Sequence, residues 1–185
     1  MARLFSAFVP PEGVLRELAR RLAGWGGFPG GATPADGDPE PAGRALRWSR
    51  PARWHITLGF FGDHDDPARR TAWLRQRLAD LPAPRLRLAG SGTFPGVLWA
   101  GLDAADPAAL HRVAVAAGAD QTNFRPHLTL AMGDDPAADR SGRPAAPLTG
   151  YTGQWFVPDE VSLMSSARGQ DGPEYHTIER IPLVR

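Results

Sequence analysis

The sequence predicts an α+β protein: two pseudo-symmetric antiparallel-sheet lobes, helices on the outside, and a central cleft. Three observations carry this. Strand-like and helix-like segments alternate as β α β β α β β α β β β, and runs of adjacent strands favour antiparallel pairing. Each half of the chain contains a helix and ends, or nearly ends, on a strand with the pattern His, apolar, Thr, apolar. With 185 residues there is room for one domain of two intimately packed lobes, spanning 1–185, with its own core.

The elements follow from spacing. RLFSAFV (3–9) reads as a strand, and Pro11 suits the start of a helix whose Val14, Leu15, Leu18 and Leu22 fall at helical intervals. Residues 26–44 are dense in Gly, Pro and Asp and are expected to be a long, mobile loop. ALRWS (45–49) and RWHITLGFFG (53–62) read as strands, the second stopped by Gly62. A helix is expected over 67–81, with Ala68, Ala72, Leu74, Leu78 and Leu81 as its apolar stripe and its arginines facing water. Arg and Leu alternate in RLRLAGSG (85–92), as in a half-buried strand, and GVLWAGLD (96–103) follows a Phe-Pro-Gly turn. A short helix over 106–118 closes at Gly118. Pro126 then biases Arg125 toward an extended backbone, opening the strand RPHLTLAMG. A second polar, mobile loop is expected at 133–147, before two last strands, DEVSLMSS and YHTIERIPL.

Composition removes several chemistries. There is no cysteine, so disulfides, thiol nucleophiles and thiolate metal sites are excluded. All 21 basic residues are arginine, which excludes lysyl Schiff bases, lysyl–nucleotide adducts and a lysine-bearing phosphate loop. Any phosphate must be met by guanidinium, hydroxyl or backbone N–H. The net charge of +1 argues against wrapping a long duplex, though not against holding one nucleotide end. No apolar run is long enough to span a bilayer, and the N-terminus reads as a strand and not as a signal peptide. A cytoplasmic monomer without membrane contact is expected.

The two motif strands carry the chemistry. Residues i and i+2 of a strand point to one side, so His55 and Thr57 share a face, and His127 and Thr129 do likewise. Their apolar neighbours Ile56, Leu58, Leu128 and Leu130 then pack behind. Two imidazoles can act as base and acid near neutral pH, and two hydroxyls can donate to phosphate oxygens. Displacement at phosphorus wants a base at the entering oxygen and an acid at the leaving one, which this pair supplies without metal or cofactor. Arg125 lies two residues before His127 and is expected on the same face, where it can meet phosphate. His64 sits among carboxylates in DHDDP but lacks metal-ligand spacing and is expected in a solvated loop. His111 reads as a surface residue and His176 as a packing one. Trp48, Trp54, Phe60, Phe61, Phe94 and Trp99 are expected mostly in the core, with base stacking as the alternative.

HITL and HLTL, so placed, resemble the paired signatures of the 2H phosphoesterases. RLFSAFVPPE, LRWSRPARWHITLGFFG, GTFPGVLWAGL, NFRPHLTLA and VSLMSSARGQDGPEYHTIERIPL resemble its bacterial RNA 2′,3′-cyclic phosphodiesterase branch, also called 2′-5′ RNA ligase-like. The resemblance implies a bilobal α+β fold and metal-independent opening of a ribose 2′,3′-cyclic phosphate to a 2′-phosphomonoester. His55 would be the general acid, His127 the general base, and Thr57 and Thr129 the phosphate-oxygen ligands. The partners implied are RNA ends or small cyclic nucleotides. ATP-independent 2′-5′ joining of RNA ends is the alternative as main activity, and a phosphorylated-nucleotide binding module without turnover is the alternative from another class. The family often has Arg where this chain has Met132, so that contact is lost or comes from elsewhere, with Arg125 and Arg168 as candidates.

Overall fold

The computed structural model describes residues 3–23, 28, 47–133, 148–169 and 172–185. The loops expected at 26–44 and 133–147 therefore lie outside the described residues, apart from Phe28 and Gly133. Element order is β1 (Arg3–Phe8), α1 (Glu12–Leu22), β2 (Arg47–Trp48), a 3₁₀ turn (Pro51–Arg53), β3 (Ile56–Gly62), α2 (Pro67–Leu78), β4 (Leu86–Phe94), β5 (Val97–Ala104), α3 (Pro107–Ala116), β6 (His127–Met132), β7 (Glu160–Gly169) and β8 (Gly172–Pro182). The α+β class and the order of strands and helices are as the sequence predicts; the 3₁₀ turn is the addition.

Asp-Pro pairs start two of the helices. The Asp66 carboxylate accepts from the Arg69 N–H at the head of α2, and Asp106 accepts from the Ala108 N–H at the head of α3. In each case Pro occupies the first helical position, where its missing N–H costs nothing. Helix α2 buries a narrower stripe than its spacing predicts. Leu74 and Leu78 are buried, while Ala68 and Ala72 are exposed. Nor do all its arginines face water: Arg70 is half-buried, stacked over Phe61 at 4.1 Å and Trp73 at 4.8 Å and paired with Asp65. An Arg stem can cover apolar surface in this way, which hydrophobic spacing does not register.

The strands form one antiparallel sheet in the order β4-β5-β6-β3-β1-β7-β8, with β2 also paired to β6. Ile56 and Leu58 of β3, Leu88 of β4, Leu98 of β5, and Leu128 and Leu130 of β6 join Leu18 of α1, Leu74 and Leu78 of α2 and Val113 of α3 in one core cluster. Each such Leu or Ile removed from water stabilises the fold by about 1.5–3 kcal/mol. Thr57, His127 and Thr129 are on strands whose other face is anchored by this core, and His55 immediately precedes one of them.

The two halves of the sheet, β4-β5-β6 and β3-β1-β7-β8, meet at a narrow seam. Between β6 and β3 the ladder contains the single pair Ile56↔Leu128. Beyond it β3 continues along β1, while the same edge of β6 passes to β2 through Trp48↔Ala131 and Arg47↔Met132. Among the described residues, the two halves of the sheet are thus paired to each other only where the two motifs lie.

Close approach of β3 to the end of α3 requires Gly59. A Cβ there would stand 2.5 Å from the Gly118 carbonyl carbon and 2.8 Å from the Ala117 oxygen, both backbone atoms. Gly59→Ala is expected to destabilise the fold by about 1–3 kcal/mol, the usual range for overpacking, as read by urea denaturation. A midpoint unchanged from wild type would show that α3 can move away at no cost.

Candidate active site

Register brings the motifs together. In an antiparallel pair with Ile56 opposite Leu128, continuing by one residue each way puts His55 opposite Thr129 and Thr57 opposite His127. Paired positions share a face, so the two histidines and two threonines form a crossed quartet on one side of the sheet. Ile56 and Leu128, fully buried, hold the other side. Strand pairing of β3 begins at Ile56, so His55 sits just before the strand and not within it. The 3₁₀ turn at Pro51–Arg53 delivers it, through Trp54 in extended backbone (φ −72°, ψ 128°) with its indole in the core.

Both imidazoles are oriented by main chain, in the same manner. His55 Nδ1 donates to the Arg53 carbonyl at 2.8 Å, and His127 Nδ1 donates to the Arg125 carbonyl at 2.7 Å. A carbonyl oxygen only accepts, so each Nδ1 bears the proton and each Nε2 is left for chemistry. As neutral rings both are bases at Nε2; either becomes an acid on gaining a proton there.

Aromatic rings wall each histidine. Phe5 lies 5.0 Å and Tyr175 4.8 Å from the His55 ring, the latter edge-on. Phe94 lies 5.1 Å and Trp99 6.4 Å from His127. Burial lowers the His55 pKa below the ordinary imidazole value; the Arg53 carbonyl opposes this and the positive charge of His127 adds to it. His55 is therefore neutral near pH 7 before any anion binds.

The remaining sequence candidates are distributed as follows. Thr57 and Thr129 are half-buried, and Arg125 is exposed beside His127. Arg168 is exposed near the far end of β7, and Met132 is exposed opposite Arg47 of β2. His64 and His111 are exposed, as expected; His176 is exposed too and not packed, its neighbour Tyr175 being the one that turns to the site. Trp54 is core, whereas Phe60 is 76% exposed, its ring 6.2 Å from Phe5. Among the described residues no three His, Asp or Glu side chains gather as a metal cage. None of their helices is long and apolar enough to cross a membrane.

Sequence reasoning missed Phe5, Tyr175 and Arg53. A signal existed for the last. RWHIT and RPHLT both place Arg two residues before the histidine, so the repeated unit is Arg-x-His-apolar-Thr. Phe5 and Tyr175 carry no such mark, because only register brings β1 and β8 to His55.

Residues 40–170 match the family model of the 2′-5′ RNA ligase superfamily, and the chain belongs to that superfamily, the 2H phosphoesterases. Among solved structures it is similar to TT0787 of Thermus thermophilus, with 25% identity, a TM-score of 0.66, and coverage of 98% of this chain and 97% of that one. E. coli LigT complexed with phosphate shares 22% identity at a TM-score of 0.69, covering 99% and 98% of the two chains. A protein described as a phosphoesterase shares 19% at a TM-score of 0.68 over the whole of both chains. The last two likenesses, below 25% identity, show the fold alone. No curated protein matches the chain significantly.

Proposed function

We propose that the chain, as one unit of two packed halves over residues 1–185, hydrolyses the 2′,3′-cyclic phosphate at an RNA end to a 2′-phosphomonoester. The observation that carries this is the pair of matched histidines. Each has its Nδ1 proton held by a backbone carbonyl two residues earlier, and the register sets each beside the other motif's threonine. A pure binder gains nothing from two opposed titrating groups with identical tautomers; in-line displacement needs both.

One histidine takes a proton from water at Nε2 as the water oxygen bonds to phosphorus. The P–O3′ bond breaks, and O3′ receives a proton from Nε2 of the other. Thr57 and Thr129 donate to the non-bridging oxygens, whose charge grows in the transition state, and Arg125 adds a cationic contact. No metal enters the scheme. With an RNA 5′-hydroxyl in place of water, the same forward proton transfers form the O5′–P bond as P–O3′ breaks and O3′ is protonated, which joins ends through a 2′-5′ linkage, the activity for which the superfamily is named. The protein is expected to act as a cytoplasmic monomer.

The test is incubation of the purified protein with an oligoribonucleotide ending in a 2′,3′-cyclic phosphate, in EDTA, with the products mapped. A 2′-phosphate end at an undiminished rate is expected. A 3′-phosphate end would overturn the assigned regiochemistry, activity lost to EDTA the metal-free scheme, and binding without turnover the hydrolase reading.

A further inference from the structure

We propose that Arg53 and Tyr175 form a site for the internucleotide phosphate next to the reacting end, which fits the protein to oligoribonucleotide ends over free cyclic mononucleotides. This rests on the cyclic phosphodiesterase reading above.

The geometry begins at Trp54. It is only 2% exposed and its backbone is extended, so the side chain after it leaves on the opposite side, and the residue before it closes the 3₁₀ turn half-buried. Those are His55 and Arg53 respectively. On the His55 side stands Tyr175 of β8, half-buried, its ring 4.8 Å from His55 and 5.6 Å from Phe5. Arg53 and Tyr175 thus flank the same imidazole, Arg53 through its carbonyl 2.8 Å from His55 Nδ1 and Tyr175 through its ring, and the Arg53 charge lowers the Tyr175 pKa. Burial pushes the Tyr175 pKa up, against the pull of Arg53, so the phenol keeps its proton as a hydrogen-bond donor. Arg53 needs no freedom from its present contacts to serve, since its fork carries five N–H groups.

Position separates this corner from the reacting phosphate. The quartet of His55, Thr57, His127 and Thr129 sits at the seam between β3 and β6. Strand β8 lies at the far edge of the sheet, beyond β1 and β7, so Tyr175 reaches His55 from the side away from β6. An anion held by Arg53 and Tyr175 is thus a second phosphate, with the His55 wall between it and the first. A nucleoside joins two such phosphates in RNA, and the same face offers it an open ring. Phe60 pairs with Phe5 across β1 and β3 and is 76% exposed, as a surface for base stacking would be. Arg125, at the matching place in the other half, has no such tyrosine beside it among the described contacts and is exposed.

Three substrates separate the possibilities: a trinucleotide ending in a 2′,3′-cyclic phosphate, the same trinucleotide with an uncharged methylphosphonate at its last internucleotide linkage, and a mononucleoside 2′,3′-cyclic phosphate. Arg53→Ala is expected to raise KM for the charged trinucleotide about tenfold, the loss of one partly solvated charge-assisted contact. The kcat for that substrate, and both constants for the mononucleotide, are expected within twofold of wild type. Tyr175→Phe should raise the same KM by a smaller factor. Wild type should treat the methylphosphonate as Arg53→Ala treats the charged trinucleotide, a readout that needs no folded variant. Equal effects of Arg53→Ala on trinucleotide and mononucleotide, or a wild-type KM indifferent to the methylphosphonate, would overturn the proposal while leaving the hydrolase intact. No turnover of any of the three by wild type would remove the parent reading and this one together.

Discussion

His55→Ala and His127→Ala are each expected to lower kcat by at least about 1000-fold on an RNA 2′,3′-cyclic phosphate, with the far-UV circular dichroism unchanged. A positioned acid or base is worth about 100- to 10,000-fold, and each histidine is the sole imidazole on its half of the quartet. The two variants differ in what repairs them. A substrate with sulfur at the 3′ bridging position loses a thiolate, which departs without protonation. It should therefore restore activity to the variant lacking the acid and leave the other inactive. The family resemblance makes His55 the acid, so rescue is expected for His55→Ala; rescue of His127→Ala alone would reverse the roles. Electrostatics adds a constraint. His55 is neutral in the free protein near pH 7, because burial and the His127 charge lower its pKa. As the acid it must gain its proton when the phosphate anion arrives. The alkaline limb of kcat/KM, which reports the free protein, should then lie below the ordinary imidazole value of about 6.5, and the limb of kcat should lie higher. Full activity in either alanine variant would end the two-histidine scheme.

Thr57→Ala and Thr129→Ala are expected to lower kcat by about 10- to 1000-fold each, the range for removing one donor aimed at developing negative charge. The register makes the two similar in effect, since each threonine stands opposite the other motif's histidine. Serine at either position keeps the hydroxyl and should recover most of the loss. An effect confined to KM would mean that the hydroxyls bind substrate and transition state equally. Wild-type kinetics in both alanine variants would remove the phosphate-clamp role, though not the histidine pair.

Much of this was legible in the sequence, for identifiable reasons. Strand and helix order follows from periodicity, and the Asp-Pro pairs mark two helix starts. The candidate site was legible because the motif occurs twice: HITL and HLTL repeat a pattern that one copy alone would leave ambiguous. What spacing cannot convey is register. Nothing in the residues near 55 says that Ile56 will face Leu128, or that, among the described residues, the two halves of the sheet will pair only there. Tyr175 reaches His55 from a strand more than a hundred residues away, and Phe5 from the first strand. The 3₁₀ turn that sets His55 outside its strand is hidden within Pro-Ala-Arg, which reads equally well as the approach to a strand. The half-buried Arg70 was missed because guanidinium stacking on Phe61 and Trp73 has no hydrophobic period.

The carbonyls that orient the two imidazoles have a consequence for how such a site varies over time. In a Ser-His-Asp triad the orienting group is a side chain, which a single codon change can delete. Here the acceptors are the peptide oxygens of residues 53 and 125. Every amino acid supplies one, so the tautomer of each ring is immune to substitution at those positions. The side chains there are left free to drift with the substrate. Selection can alter the side chain at either position without removing the acceptor that sets the tautomer. A scaffold so insulated can change its clientele while its chemistry stays still.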